Sequence, residues 1–141
     1  MPLTFYYGSG SPFAWRVWLS LEHKALPYEF KLLSFDAKDT QKPEFLALNP
    51  RGQVPVVTDG DFAIYESAVI PEYLEDRYPA ADAAHALFQK DVQQRALARR
   101  LAHEVDTYLW PQTHKLAIQY FRTPEAERNA AEPANARLFR T

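Results

Sequence analysis

The chain contains no cysteine. That excludes disulfides, thiolate metal sites and a cysteine nucleophile supplied by the protein itself, and it fits a reducing, cytoplasmic setting. Long apolar runs are also missing. None approaches the ~20 residues of a membrane span, and the first residues lack the basic start and apolar core of a secretory signal, so no membrane partner is expected. A large excess of one sign of charge is missing as well. The formal net charge is −2, which argues against a dedicated nucleic-acid binder. Residues 1–81 carry 7 basic and 11 acidic groups (−4) and residues 82–141 carry 9 and 7 (+2), a difference too small to imply a polyanion and best read as a solvated helical surface.

What is present is an ordinary globular balance, 47% hydrophobic and 24% charged, enough for a real core. The first 80 residues alternate between two textures. "LTFYY" (3–7) is an apolar-aromatic strand. From Pro12 to about Lys24, Phe13, Val17, Trp18 and Leu21 follow helical spacing, with Pro12 at a first helical position. "YEFKLL" (28–33) alternates with the period of a strand. "KPEFLAL" forms a short helix, closed by Asn49-Pro50. In "VPVVTDGDFAIYE" two strand-like runs flank Asp59-Gly60, a pair suited to a tight hairpin turn. Ser67 then reads as the N-cap of a helix over "AVIPEYLEDRYP", with Pro79 as its stop and Pro71 costing one backbone hydrogen bond near its start. The order β-α-β-α-β-β-α needs a crossover early and a hairpin late, hence one mixed sheet with helices packed against it.

From about Asp82 the texture changes. Residues 82–110 lack both Gly and Pro and read as one long helix, with Val92, Leu97, Leu101, Val105 and Leu109 as its buried stripe. Pro111 ends or kinks it, "QTHKLAIQYF" begins another helix, and the alanine-rich tail from Arg122 is polar. The domain boundary falls between Pro79 and Ala84.

"SPFAWRVWLSLEHKALPYE", "NPRGQVPVV", "AIYES" and "YLEDRYP", in this order and spacing over roughly residues 3–80, resemble the glutathione transferase family. Beyond residue 82 only helical texture and "EVDTYLWP" support the match. The resemblance implies an α/β thioredoxin-like domain with a mixed four-stranded sheet over residues 1–80, then a partial all-α domain over 84–141. It further implies glutathione as co-substrate, no metal, a homodimer in the cytoplasm, and conjugation of the tripeptide to a small apolar electrophile.

The resemblance also assigns roles. Pro55 would be a cis-proline holding Val54 extended, so that its backbone pairs with the cysteinyl part of glutathione like an added strand. Gln53 would add side-chain hydrogen bonds. Glu66 and Ser67 would receive the γ-glutamyl end, Ser67 with the helix N–H groups meeting its carboxylate and Glu66 facing its ammonium. The turn "GSGSPF" would hold the thiolate. Ser11 occupies the family's serine position and would donate to sulfur, since a hydroxyl is too weak an acid to serve as base; Ser9 stands two residues earlier, and Tyr6 and Tyr7 remain alternatives because other classes place the donor on a tyrosine. Ser11 also suits the plainer role of N-cap to the Pro12 helix.

Other signals carry less. His103-Glu104 lacks the second histidine of a zinc-protease motif, with Thr107 in its place. "GSGS" lacks the lysine and length of a phosphate-binding loop. Arg16 reads as structural or surface, and Trp15, Trp18 and Trp110 as core or interface. Two rival readings stay open: a non-catalytic dimerisation or partner-binding module of the same fold, and a glutathione-dependent isomerase or dehalogenase.

Overall fold

A computed structural model of the chain describes residues 2–122 and residue 124; the rest of the polar tail lies outside the described residues. Strand β1 (Leu3–Gly8) runs into helix α1 (Pro12–His23), which returns the chain to β2 (Tyr28–Leu33). A single 3-10 turn (Asp39–Gln41) and the short α2 (Pro43–Leu46) lead to the hairpin β3 (Val56–Asp59) and β4 (Phe62–Tyr65), followed by α3 (Val69–Arg77). The sheet order is β2-β1-β3-β4, with β1 parallel to β2 and the remaining neighbours antiparallel. This is the mixed four-stranded sheet anticipated from the β-α-β-α-β-β-α order.

The core follows from strand alternation. Leu3 and Phe5 of β1 and Val57 of β3 turn toward one face, where they meet Ala14, Val17 and Leu21 of α1 and Ile70 and Leu74 of α3. Tyr6 points the other way and packs on Phe45 of α2. Each large side chain so buried contributes about 1.5–3 kcal/mol. Trp18 lies at the edge of this packing, against Tyr7 and Phe30, and Trp15 is exposed.

Two polar anchors fix α3. Tyr73 and Tyr78 both donate to Asp59 Oδ2, at 2.7 and 2.8 Å, and Arg77 lies 3.5 Å away. These donors hold the Asp59 carboxyl below its ordinary value, while burial and the Asp59 bond push the Tyr73 phenol up to about 12. Between the two tyrosines in sequence, Glu75 pairs with Lys24, 1% exposed, and also accepts the Leu87 N–H at 3.1 Å. Burial pushes the Glu75 carboxyl up, but the Lys24 and backbone donors outweigh it and the net shift is downward.

Several local expectations are corrected. The hairpin turn is Gly60-Asp61, since Asp59 still pairs with Phe62; Gly60 supplies the positive φ of 61°. Helix α3 starts at Val69 with Ala68 as N-cap and no side-chain cap, so Ser67 does not cap it. Pro71 follows Val69 and Ile70, whose N–H groups bond to the Glu66 carbonyl, and having no N–H of its own it cannot continue that ladder.

Residues 82–91 are not helical; α4 begins at Val92 (Val92–Glu104). Aspartates explain the difference. Asp82 Oδ1 takes the N–H groups of Ala84 and His85, a side-chain turn that competes with helix, and Asp91 Oδ1 caps α4 through Gln94 N–H at 2.9 Å. Pro111 does not end the helix. A π-helical turn (Val105–Leu109) precedes α5 (Trp110–Arg122), which runs through the proline; the wider turn accommodates the ring that would clash with an ordinary i−4 carbonyl. The apolar stripe exists but is not buried: Val92, Leu97, Leu101, Val105 and Leu109 are 43% to 78% exposed. The chain divides into two compact units, Met1–Arg95 and a second beginning at Ala96.

Candidate functional site

Sheet register brings the three sequence-predicted segments to one end of the sheet. Tyr6 near the end of β1 pairs with Val56, the first residue of β3, and Val56 pairs with Tyr65, the last of β4. The turn after β1 (Ser9 to Ser11), the approach to β3 (Gln53 to Pro55) and the turn after β4 (Glu66 and Ser67) therefore open side by side. Segments more than 50 residues apart meet because antiparallel neighbours alternate their ends.

Ser11 is the N-cap of α1. Its backbone is extended (φ −81°, ψ 112°) and its Oγ accepts the Ala14 N–H at 3.2 Å. The capping role foreseen for it is thus realised, and it leaves the hydroxyl proton available for donation outward. Ser9 is exposed on the turn, and Gly10 beside it has φ 79°, a conformation L side chains rarely adopt. The alternative tyrosine donors are drawn into packing. Tyr6 stacks near Phe45 with the Lys31 ammonium 5.2 Å over its ring, and Tyr7 lies against Phe30 and Trp18.

The Val54–Pro55 peptide is cis, with Pro55 buried and Val54 half-buried. The loop before it is pinned by Asn49, 2% exposed, whose Nδ2 donates to the Gln53 carbonyl at 2.7 Å and whose Oδ1 accepts the Arg51 N–H at 3.0 Å. The Gln53 side chain is exposed.

Glu66 holds a positive φ of 78°, costly for a residue with a Cβ and typical of functional turns. Its carbonyl accepts the N–H groups of both Val69 and Ile70, and its exposed carboxylate lies 3.9 Å from Arg51 Nε. Ser67 is 6% exposed, and its Oγ accepts from Arg16 Nη1 at 3.2 Å. Sequence reasoning missed Asn49 and Arg16 as organisers of this end; Asn-Pro ahead of the loop was the one visible hint. Among the described residues no cluster of three or more His, Asp or Glu could hold a metal, and no helix is long and apolar enough to cross a membrane.

A four-stranded mixed sheet, α1 and α3 on one face and a cis-proline opening β3 define the thioredoxin-like class. A family model described as "Glutathione S-transferase, N-terminal domain" matches residues 10–77. Glutathione S-transferase 1 of Dianthus caryophyllus is 36% identical over 118 residues, covering 84% of this chain and 52% of that protein. A glutathione S-transferase from the Antarctic clam Laternula elliptica is 36% identical with a TM-score of 0.75, covering 86% of this chain and 53% of that one. A glutathione transferase homologue from Burkholderia, solved with bound glutathione, is 28% identical with a TM-score of 0.67, covering 81% and 58%. The chain belongs to the glutathione S-transferase family. It spans about half the length of the curated relatives it matches.

Proposed function

We propose that this chain binds glutathione at the end of the sheet where Ser11, Val54-Pro55 and Glu66-Ser67 converge, and stabilises its thiolate for conjugation to a small apolar electrophile. The convergence of these three segments is the observation that carries the reading. The tripeptide lies along Val54, which is half-buried and precedes the ladder, and pairs with its backbone as a short strand. Its γ-glutamyl carboxylate meets Ser67 and its ammonium meets Glu66, while Gln53 borders the peptide. Its sulfur rests over the start of α1, where Ser11 donates and the helix dipole favours negative charge; Ser9 borders the same turn.

A free thiol of this type has a pKa of ~8.5, and each unit of depression corresponds to ~1.4 kcal/mol, about one charge-assisted hydrogen bond. The thiolate then attacks the electrophilic carbon, the new S–C bond forming as the leaving group or π electrons depart. No metal takes part in this scheme. The proposal also includes a functional division at residues 80–84, with the glutathione-binding part before it (1–80) and a second part after it (84–141), cytoplasmic residence and a homodimer.

The exposed stripe of Leu97, Leu101, Val105 and Leu109 favours a second reading, in which the chain serves chiefly as an assembly module of this fold. Capture on immobilised glutathione with elution by the free tripeptide separates them. Retention is expected; a chain that passes through unbound while folded supports the module.

A further inference from the structure

Strand β2 is the less protected edge of the sheet. It lies at one end of the order β2-β1-β3-β4, so no further strand among the described residues pairs with its outer side. Residues 29–32, four of its six, are exposed, whereas β4 at the opposite edge exposes only Phe62 of its four. Phe30 is 42% and Leu32 59% exposed, both on one face of the strand, and Trp18 and Leu19 of α1 extend that apolar surface. The Trp18 and Phe30 ring centroids lie 5.1 Å apart, and a hollow of about 600 Å³ opens among Trp18, Leu19, Glu22, Tyr28 and Phe30. Free backbone groups beside an apolar surface make a template for another strand.

The strand "YEFKLL" is complementary to itself. In an antiparallel pair, residues directly opposite share a face, so two copies match apolar face to apolar face only in registers that pivot about a residue. Pivots at Glu29 or Lys31 set like charges against each other, and pivots nearer the ends leave less of the strand paired. A pivot at Phe30 sets Phe30 on Phe30, Tyr28 on Leu32 and, twice, Glu29 on Lys31. Exposed charges of this kind guard an edge against foreign strands; here they fit a second copy.

We infer that two copies of this chain join through the outer edges of β2, antiparallel about Phe30, so that two four-stranded sheets become one of eight strands. The two-fold axis stands perpendicular to the sheet, as an isologous contact of this kind requires. It places both α1 helices on the same face, where Trp18 and Leu19 of each copy flank the junction. This edge supplies a surface for the homodimer proposed above, and its pairing does not depend on glutathione.

Sedimentation equilibrium of the full chain tests this with wild type, Glu29→Lys, Lys31→Glu and the double variant carrying both changes. Wild type should dimerise. Each single reversal puts like charges opposite one another at two places in the dimer and should weaken it by about tenfold or more. The double variant restores both opposite-charge pairs and should return to within about threefold of wild type. Mixed in equal amounts, the two single variants should pair with each other, since every Glu then faces a Lys. Both residues are exposed, so urea midpoints should stay near wild type. In the wild type, amide exchange within β2 should also slow as protein concentration rises, a reading that needs no variant. A wild type that stays monomeric overturns the inference and the homodimer together. A dimer that neither single reversal weakens, that the mixture fails to restore, or whose β2 amides exchange independently of concentration overturns the β2 surface alone.

Discussion

Ser11 is asked to do two things at once, and the two can be pulled apart. Its Oγ accepts the Ala14 N–H at 3.2 Å, while its proton is assigned to the ligand sulfur. Replacing an N-cap serine by alanine costs about 0.5–2 kcal/mol, whereas glycine costs only a few tenths. The 3.2 Å bond is at the long end of the normal range, so the lower half of that span, about 0.5–1 kcal/mol, applies to Ser11→Ala. Both substitutions remove the same donor from sulfur. Each should raise the bound thiol pKa by about one unit, a tenfold loss of thiolate well below the pKa that vanishes above about pH 9, where the thiol is ionised regardless. Ser11→Thr keeps cap and donor and should stay near wild type in both respects. Urea unfolding followed by tryptophan fluorescence gives the first quantity, and thiolate ultraviolet absorbance against pH gives the second. If Ser11→Ala and Ser11→Gly lose stability equally, the cap bond is not what the oxygen supplies. If both leave the thiol pKa unchanged, Ser11 is a cap and nothing more.

Removing the partner of Lys24 should be among the most damaging single changes: Glu75→Ala strands a cation that is 1% exposed and deletes the acceptor for Leu87, at about 3–5 kcal/mol, read from the urea midpoint. Tyr73→Phe should cost about 1.5–3 kcal/mol, the range for a bond to a charged group. Because burial and Asp59 raise the Tyr73 pKa from 10.0 to about 12, its stabilisation is complete below pH 10 and lost as pH rises through about 12, so the variant should show a shallower alkaline decline; an unchanged decline contradicts this. Ala25 ends α1 at φ 50°, with its own N–H and that of Leu26 bonded back to Glu22 and Leu21. This is the Schellman arrangement that favours glycine. Ala25→Gly should therefore stabilise by about 0.5–1 kcal/mol, the left-handed penalty less the entropy of glycine, and a lower urea midpoint would refute it.

The strand and helix order of the first 80 residues was legible because each element's apolar residues keep the period of their structure: Tyr28, Phe30 and Leu32 against Glu29 and Lys31, or Phe13, Val17 and Leu21. The meeting of Ser11 with Glu66-Ser67 followed from the resemblance, and sheet register explains it. What could not be read was set by side chains competing with backbone. Asp82 and Asp91 take N–H groups that a continuous helix would have used, and the composition of 82–91 gives no sign of it. The Ser67 turn misled for the same reason: a serine before a helix implies a cap, but Arg16, 51 residues earlier, claims the oxygen. Pro111 was read as a stop or a kink because an ordinary turn cannot hold it; the π turn over Val105–Leu109 that precedes it has no sequence signature of its own.

The most direct measurement is an amide shift map of the nitrogen-15-labelled chain titrated with glutathione. Saturable shifts should concentrate on Val54, Ser67, Ala68, Ser11, Phe13 and Ala14, and spare the outer strand Tyr28–Leu33. A chain that shows no saturable shift, or whose shifts gather around Trp18, Leu19 and Phe30 instead, would contradict a tripeptide site at that end of the sheet.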